Sequence, residues 1–147
     1  MIIAVDFDGT IVEHRYPEIG REIPFAIDTL KRLQAERNIL ILWTSREGKL
    51  LQEAIDFCAS RGLEFYAVNS NHPEDYDDET VKKSRKIKAD LYIDDRNLGG
   101  LPDWGVIYDM VTNHWTYEEY LSATGHPLAP QPRPGFWSRL FGKNRRR

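Results

Sequence analysis

Asp6 and Asp8 close the run Ala4-Val5-Asp6-Phe7-Asp8-Gly9-Thr10, directly behind the apolar start Met1–Ile3. Two carboxylates at the end of a buried strand are costly unless a cation, a partner or a proton satisfies them. That cost argues for chemistry; the alternative is an ordinary strand end with two solvated acids. Thr44 closes a second apolar run, Ile39–Trp43, and is followed by Ser45 and Arg46. A hydroxyl there, just ahead of a helix N-terminus, is placed to bind a phosphate oxygen beside free N–H groups and a favourable dipole. Thr44 or Ser45 would serve equally as a plain helix N-cap. A third apolar run, Ala89–Ile93, ends in Asp94 and Asp95, which in isolation would read as a turn. Arg46 and Arg96 read either as contacts to a phosphate or leaving group, which Arg can grip bidentately, or as surface ion-pair partners. His14, His72, His114 and His126 show no metal-ligand spacing.

The elements that must position these residues alternate. Ile2–Phe7 reads as a strand covered on both faces, because it is continuously apolar up to its acids. Pro24–Arg37 reads as a helix with Pro24 in the first turn and Ala26, Ile27, Leu30, Leu33 and Gln34 at helical spacing. Asn38–Thr44 is a second strand. Glu47–Arg61 is a second helix, its inner face made of Leu50, Leu51, Ala54, Ile55 and Cys58, with Gly62 as its cap. Phe65–Val68, Ala89–Ile93 and Gly105–Tyr108 are expected as third, fourth and fifth strands. Thr116 and Glu119 form a capping-box pattern that opens a last short helix. This order argues an α/β fold, a three-layer Rossmann-like parallel sheet with helices on both faces. In such sheets the site lies beyond the carboxyl ends of the strands, where Asp6, Asp8, Thr44, Asp94 and Asp95 would converge.

Asp6-Phe7-Asp8-Gly9-Thr10 resembles, residue for residue, the D-x-D-G-T nucleophile motif of the haloacid dehalogenase superfamily. Thr44 is similar to that family's strand-end Thr or Ser, and Asp94-Asp95 to its acidic fourth motif. The lysine of its third motif falls in Lys82–Lys88. Lys86-Ile87-Lys88-Ala89-Asp90 is similar to the K-P-x-A-D of capless relatives, with Ile87 in place of Pro, so Lys86 is chosen and Lys88 is the alternative. The resemblance covers roughly residues 1–110 and implies a Mg²⁺-dependent phosphoester hydrolase. Asp6 would attack phosphorus, Asp8 would act as acid and base, and Thr44 and Lys86 would complete the catalytic set. Gly9, Thr10, Ser45 and Arg46 would contact substrate. Mg²⁺ would be held by Asp6, the backbone carbonyl of Asp8, and Asp95 in preference to Asp94, hard oxygen ligands that suit this ion. Only 13 residues, Ile11–Ile23, precede the first helix, and 17, Asn69–Arg85, follow the third strand. The resemblance therefore implies a flap over residues 11–23, with His14 in it, and no large cap domain. The Asp94-Asp95-Arg96 run also resembles the phosphatase parts of polynucleotide kinase-phosphatases and small deoxyribonucleotidases, which makes a nucleotide or nucleic-acid end the alternative substrate.

The bulk composition suits one soluble domain: 147 residues, 41% apolar and 29% charged. Cys58 is the single cysteine, which excludes an internal disulfide and a cysteine zinc cluster and points to helix packing. There is no run of 18 apolar residues and no signal-peptide pattern at the N-terminus, so the expected location is the cytoplasm. The net charge of −3 hides an asymmetry. Six basic residues and no acids lie in 124–147, leaving 14 of the 20 basic residues against all 23 acidic ones in the body. An acidic body disfavours nucleic acid and suits a cation held by carboxylates. The domain is expected over 1–125. Residues 126–147 read as a Pro-rich linker (Pro127–Gly135) and a basic, aromatic tail, Phe136–Arg147, suited to an anionic membrane surface, an acidic partner, or docking on its own or a second copy's surface. With such a tail, a non-catalytic binding or adaptor protein is the competing class of function.

Overall fold

Four apolar segments form one parallel sheet, because each is long enough to pair and is bounded by a helix or loop that returns the chain to the same end. The structure, a computed structural model, describes residues 1–74 and 86–126. The elements in chain order are β1 (Ile2–Val5), α1 (Ala26–Ala35), β2 (Ile39–Leu42), α2 (Gly48–Ala59), β3 (Ala67–Val68), β4 (Leu91–Ile93), α3 (Trp104–Thr112) and α4 (Tyr117–Thr124). The strand order is β3-β2-β1-β4, and every pairing is parallel. The register sets the site: Val5 stands level with Leu42 on one side and Ile93 on the other. The pairing runs one step further, with the Asp6 amide donating to the Ile93 carbonyl at 3.0 Å and the Trp43 amide to the Val5 carbonyl at 2.8 Å. The residues that follow these strands therefore leave the sheet at one height.

One sheet face carries Ile3, Val5, Leu40, Leu42 and Ile93 into the main core, where α1, α2 and α3 all bury side chains. The other face carries Ala4, Ile41 and Ala67 and is covered by Ile87. Helices on both faces were the expectation; among the described residues the helices that reach the core do so on the first face. The tail and linker, residues 127–147, and Lys82 and Lys83 lie outside the described residues.

Two expectations are corrected. Gly105–Tyr108 is not a strand but part of α3. Its Gly-Val-Ile-Tyr run has strand-like residue types. Asp103 nonetheless accepts hydrogen bonds from the Gly105 and Val106 amides at 2.9 and 3.0 Å, an N-cap, and Trp104, Ile107 and Val111 are buried at helical spacing. Tyr108 then lies against α1, its hydroxyl 2.6 Å from Glu36 and its ring under Arg32. Pro24 precedes α1 instead of sitting in its first turn; Phe25 is the residue before the helix. Other expected features are present. Gly62 adopts φ +75, and the Leu63 amide reaches back to the Cys58 carbonyl at 3.1 Å to close α2. Thr116 and Glu119 form the capping box of α4. Cys58 is buried in the core, and burial pushes its thiol up to about 12. No helix of the described residues is long and apolar enough to cross a membrane.

Candidate active site

The level strand ends bring Asp6, from the end of β1, next to Asp94 and Asp95, from the end of β4. One oxygen from each of these three carboxylates lies within 4.8 Å of the others. Three acids so close repel one another, and burial removes the water that would screen them. Burial is the larger cause and the neighbouring Asp94, Asp95 and Asp8 add to it. Against a hydrogen bond from the Phe7 amide, they raise the Asp6 carboxyl from 3.8 to about 7. A metal ion, which these three carboxylates could hold, is the partner that would reverse this.

The turn after Asp6 is built around this cluster. Gly9 has φ +93, and a Cβ there would lie 2.6 Å from Asp95 Oδ2, so only glycine lets the backbone pass beneath that carboxylate. Thr10 is fully buried. Its hydroxyl donates to Asp6 Oδ2 at 3.3 Å and accepts from the Asp95 amide at 3.0 Å, which ties the two strand ends together. Gly9 and Thr10, expected as substrate contacts, thus shape the acid cluster from below. Asp94 Oδ1 accepts from the Arg96 amide at 2.7 Å and turns the chain away from the sheet.

A cleft of about 450 Å³ opens on the cluster, lined by Asp6, Asp8, His14, Tyr16, Trp43, Thr44, Ser45, Asp94 and Arg96. Thr44 is held by Asn69 after β3. The Asn69 side chain accepts from the Thr44 amide at 2.8 Å and donates to the Thr44 carbonyl at 2.9 Å, replacing a strand pairing. Thr44 does not cap α2. Its Oγ1 accepts from the Arg46 amide at 3.2 Å, while Glu47 occupies the cap position with no side-chain bond to the helix. His14 and Tyr16 come from the segment 11–23, which folds over as a flap. The Glu13 amide donates to the Arg21 carbonyl at 2.7 Å and the Ile23 amide to the Ile11 carbonyl at 2.8 Å.

The structure brings Asp6, Asp8, Thr44, Ser45, Asp94 and Asp95 together as expected, while Gly9, Thr10, Arg46 and Lys86 do not line the cleft. Arg46 is buried beneath it and paired with Asp8. Lys86 is exposed, with its Nζ 4.9 Å from the Tyr92 ring centroid. Lys88, the alternative, has its backbone amide tied to Asn71 Oδ1. No lysine among the described residues lines the cleft, and Arg96 is the cation on its wall. Sequence reading missed Tyr16, Trp43 and Asn69. Asn69 carries a signal in retrospect, an Asn directly behind a short apolar strand.

No family model matches the chain, and a search of curated proteins returns no match. Among solved structures, a conserved protein from Bacteroides thetaiotaomicron is 63% identical, with a TM-score of 0.75, over 81% of this chain and 95% of that one. At that identity and coverage the chain belongs to the same family as the conserved Bacteroides thetaiotaomicron protein.

Proposed function

We propose that the chain is a Mg²⁺-dependent phosphoester hydrolase of the haloacid dehalogenase type, with no large cap, working through an aspartyl-phosphate on Asp6. The observation that carries this reading is the meeting of Asp6, Asp94 and Asp95 beside a cleft that Asp6 and Asp94 line. Asp6, Asp94 or Asp95 and the backbone of Asp8 would hold Mg²⁺, which supplies positive charge against the phosphoryl oxygens. An Asp6 oxygen attacks phosphorus; the bond to the leaving oxygen breaks, and that oxygen takes the proton carried by Asp8. Water then attacks the phosphorus and gives its proton back to Asp8, and the bond to Asp6 breaks to release inorganic phosphate. Thr10 fixes the Asp6 carboxylate by its hydrogen bond. Thr44 offers its hydroxyl hydrogen to a phosphoryl oxygen, and Arg96 takes the neutralising role that the lysine was expected to play.

Arg46 grips both oxygens of Asp8, which fixes where that carboxyl sits relative to the leaving oxygen and the attacking water. The short flap is supporting evidence for an open, capless site. A nucleotide leaving group is the second reading, favoured by Tyr16 and Trp43 on the cleft wall, whose rings can stack on a base. Phosphate release from a panel of sugar phosphates, nucleotides, aryl phosphates and phosphorylated oligonucleotides with Mg²⁺ tests the reading. Release by the parent and none by Asp6→Asn is expected. Equal release by the variant would remove Asp6 as nucleophile.

A further inference from the structure

Among the described residues, Arg46 is the largest buried charged side chain, with no exposed surface. Its Nε and Nη2 donate to Asp8 Oδ2 and Oδ1 at 2.7 and 2.8 Å. Nη2 also donates to the Glu18 carbonyl at 2.9 Å, and Nη1 to the Pro17 carbonyl at 3.0 Å. The Phe7 and Tyr16 rings flank the guanidinium at 5.2 and 5.3 Å. One planar fork thus joins an acid at the end of β1 to two flap carbonyls, a geometry that the single ammonium of lysine cannot reproduce.

The flap depends on this fork at its tip. Its base is secured by buried Ile11 and Val12, but residues 14–18 are all exposed. Little apolar burial holds the stretch that presents His14 and Tyr16 to the cleft. We propose that Arg46 is a positioning residue that locks the flap tip to Asp8, so that the carboxylate and the cleft wall are set as one unit. The catalytic consequence rests on the phosphatase reading above; the mechanical coupling does not.

Hydrogen exchange of the Glu13 and Ile23 amides, whose bonds to the Arg21 and Ile11 carbonyls close the flap, tests the coupling in the full chain. In Arg46→Lys and Arg46→Ala these amides exchange faster by at least about tenfold, while those of β1 and β2 keep parent rates. Asp8→Ala loosens the same amides, because it removes the other end of the lock. Millimolar guanidinium added to Arg46→Ala restores protection and urea at equal concentration does not. Flap exchange within about twofold of the parent in both Arg46→Lys and Asp8→Ala overturns the proposal. So does a folded Arg46→Ala that guanidinium fails to protect. If Arg46→Ala does not fold, Arg46→Lys and Asp8→Ala decide. Phosphate release is read in parallel: kcat falling in Arg46→Ala and recovering with guanidinium supports the catalytic consequence. A parent that hydrolyses nothing sinks the phosphatase reading and leaves the exchange result to judge the lock on its own.

Discussion

Replacing Asp6 with Asn should stabilise the metal-free protein at neutral and alkaline pH. The Asp6 carboxyl is raised from 3.8 to about 7 by burial and by Asp94, Asp95 and Asp8. Below 3.8 the folded and unfolded chains both carry the proton, and Asp6 contributes nothing. Between the two values the unfolded chain has lost the proton and the folded chain still holds it, so stability falls as pH rises. Above about 7 the penalty is complete. Three units at about 1.4 kcal/mol each set a ceiling of about 4 kcal/mol, and relaxation of the three acids with water access brings the expected gain nearer 2 kcal/mol. Asn keeps the shape and removes the charge, so the gain should be near zero at about pH 4 and full at about pH 8. Urea unfolding in EDTA, followed by tryptophan fluorescence, measures it. Adding Mg²⁺ should reverse the order, because an ion that binds only the folded parent stabilises that parent alone. An Asn variant less stable than the parent at alkaline pH in EDTA, or a gain that does not change with pH, would refute the account of the acid cluster.

Other outcomes follow from the same geometry. Gly9→Ala forces a Cβ to 2.6 Å from Asp95 Oδ2 at φ +93. It should cost about 2 kcal/mol in urea unfolding and weaken Mg²⁺ binding in calorimetry. Asn69→Ala removes both bonds to the Thr44 backbone and should lower kcat by about tenfold or more with the melting temperature little changed. Asp103→Ala removes the cap of α3 and should cost about 1 kcal/mol in thermal unfolding, with activity unaltered.

The strands that carry the site were legible because their signals are local. Ile2–Val5, Ile39–Leu42 and Leu91–Ile93 are short apolar runs closed by acids or a hydroxyl, and parallel pairing then levels their ends without further information. Residues 104–112 were not read correctly, since a four-residue window around Val106 and Ile107 has strand-like types and the helical period shows only when Trp104 and Val111 are included. The position of Lys86 away from the cleft wall was hidden for a different reason. The run of basic residues before β4 fixes no direction, and burial of Ile87 against Ala4, Ile41 and Ala67 goes with an Lys86 side chain that lies over Tyr92. Arg46 was visible as a residue but its burial was not, because the carbonyls that accept from it belong to Pro17 and Glu18, nearly 30 residues away.

Those long-range bonds also explain how the acids divide. Asp6, Asp8, Asp94 and Asp95 crowd one edge of the sheet, yet the carboxylates that converge on a cation-sized space are Asp6, Asp94 and Asp95. Asp8 is taken out of that set by a buried guanidinium that satisfies both of its oxygens. Its neighbours keep an excess of negative charge that Arg96, exposed on the cleft wall, offsets only through solvent. One acid is thus paired from inside the protein, and three are left converging on one another. On the phosphatase reading proposed above, Asp8 would move protons and the other three would face a divalent ion and a phosphoryl group.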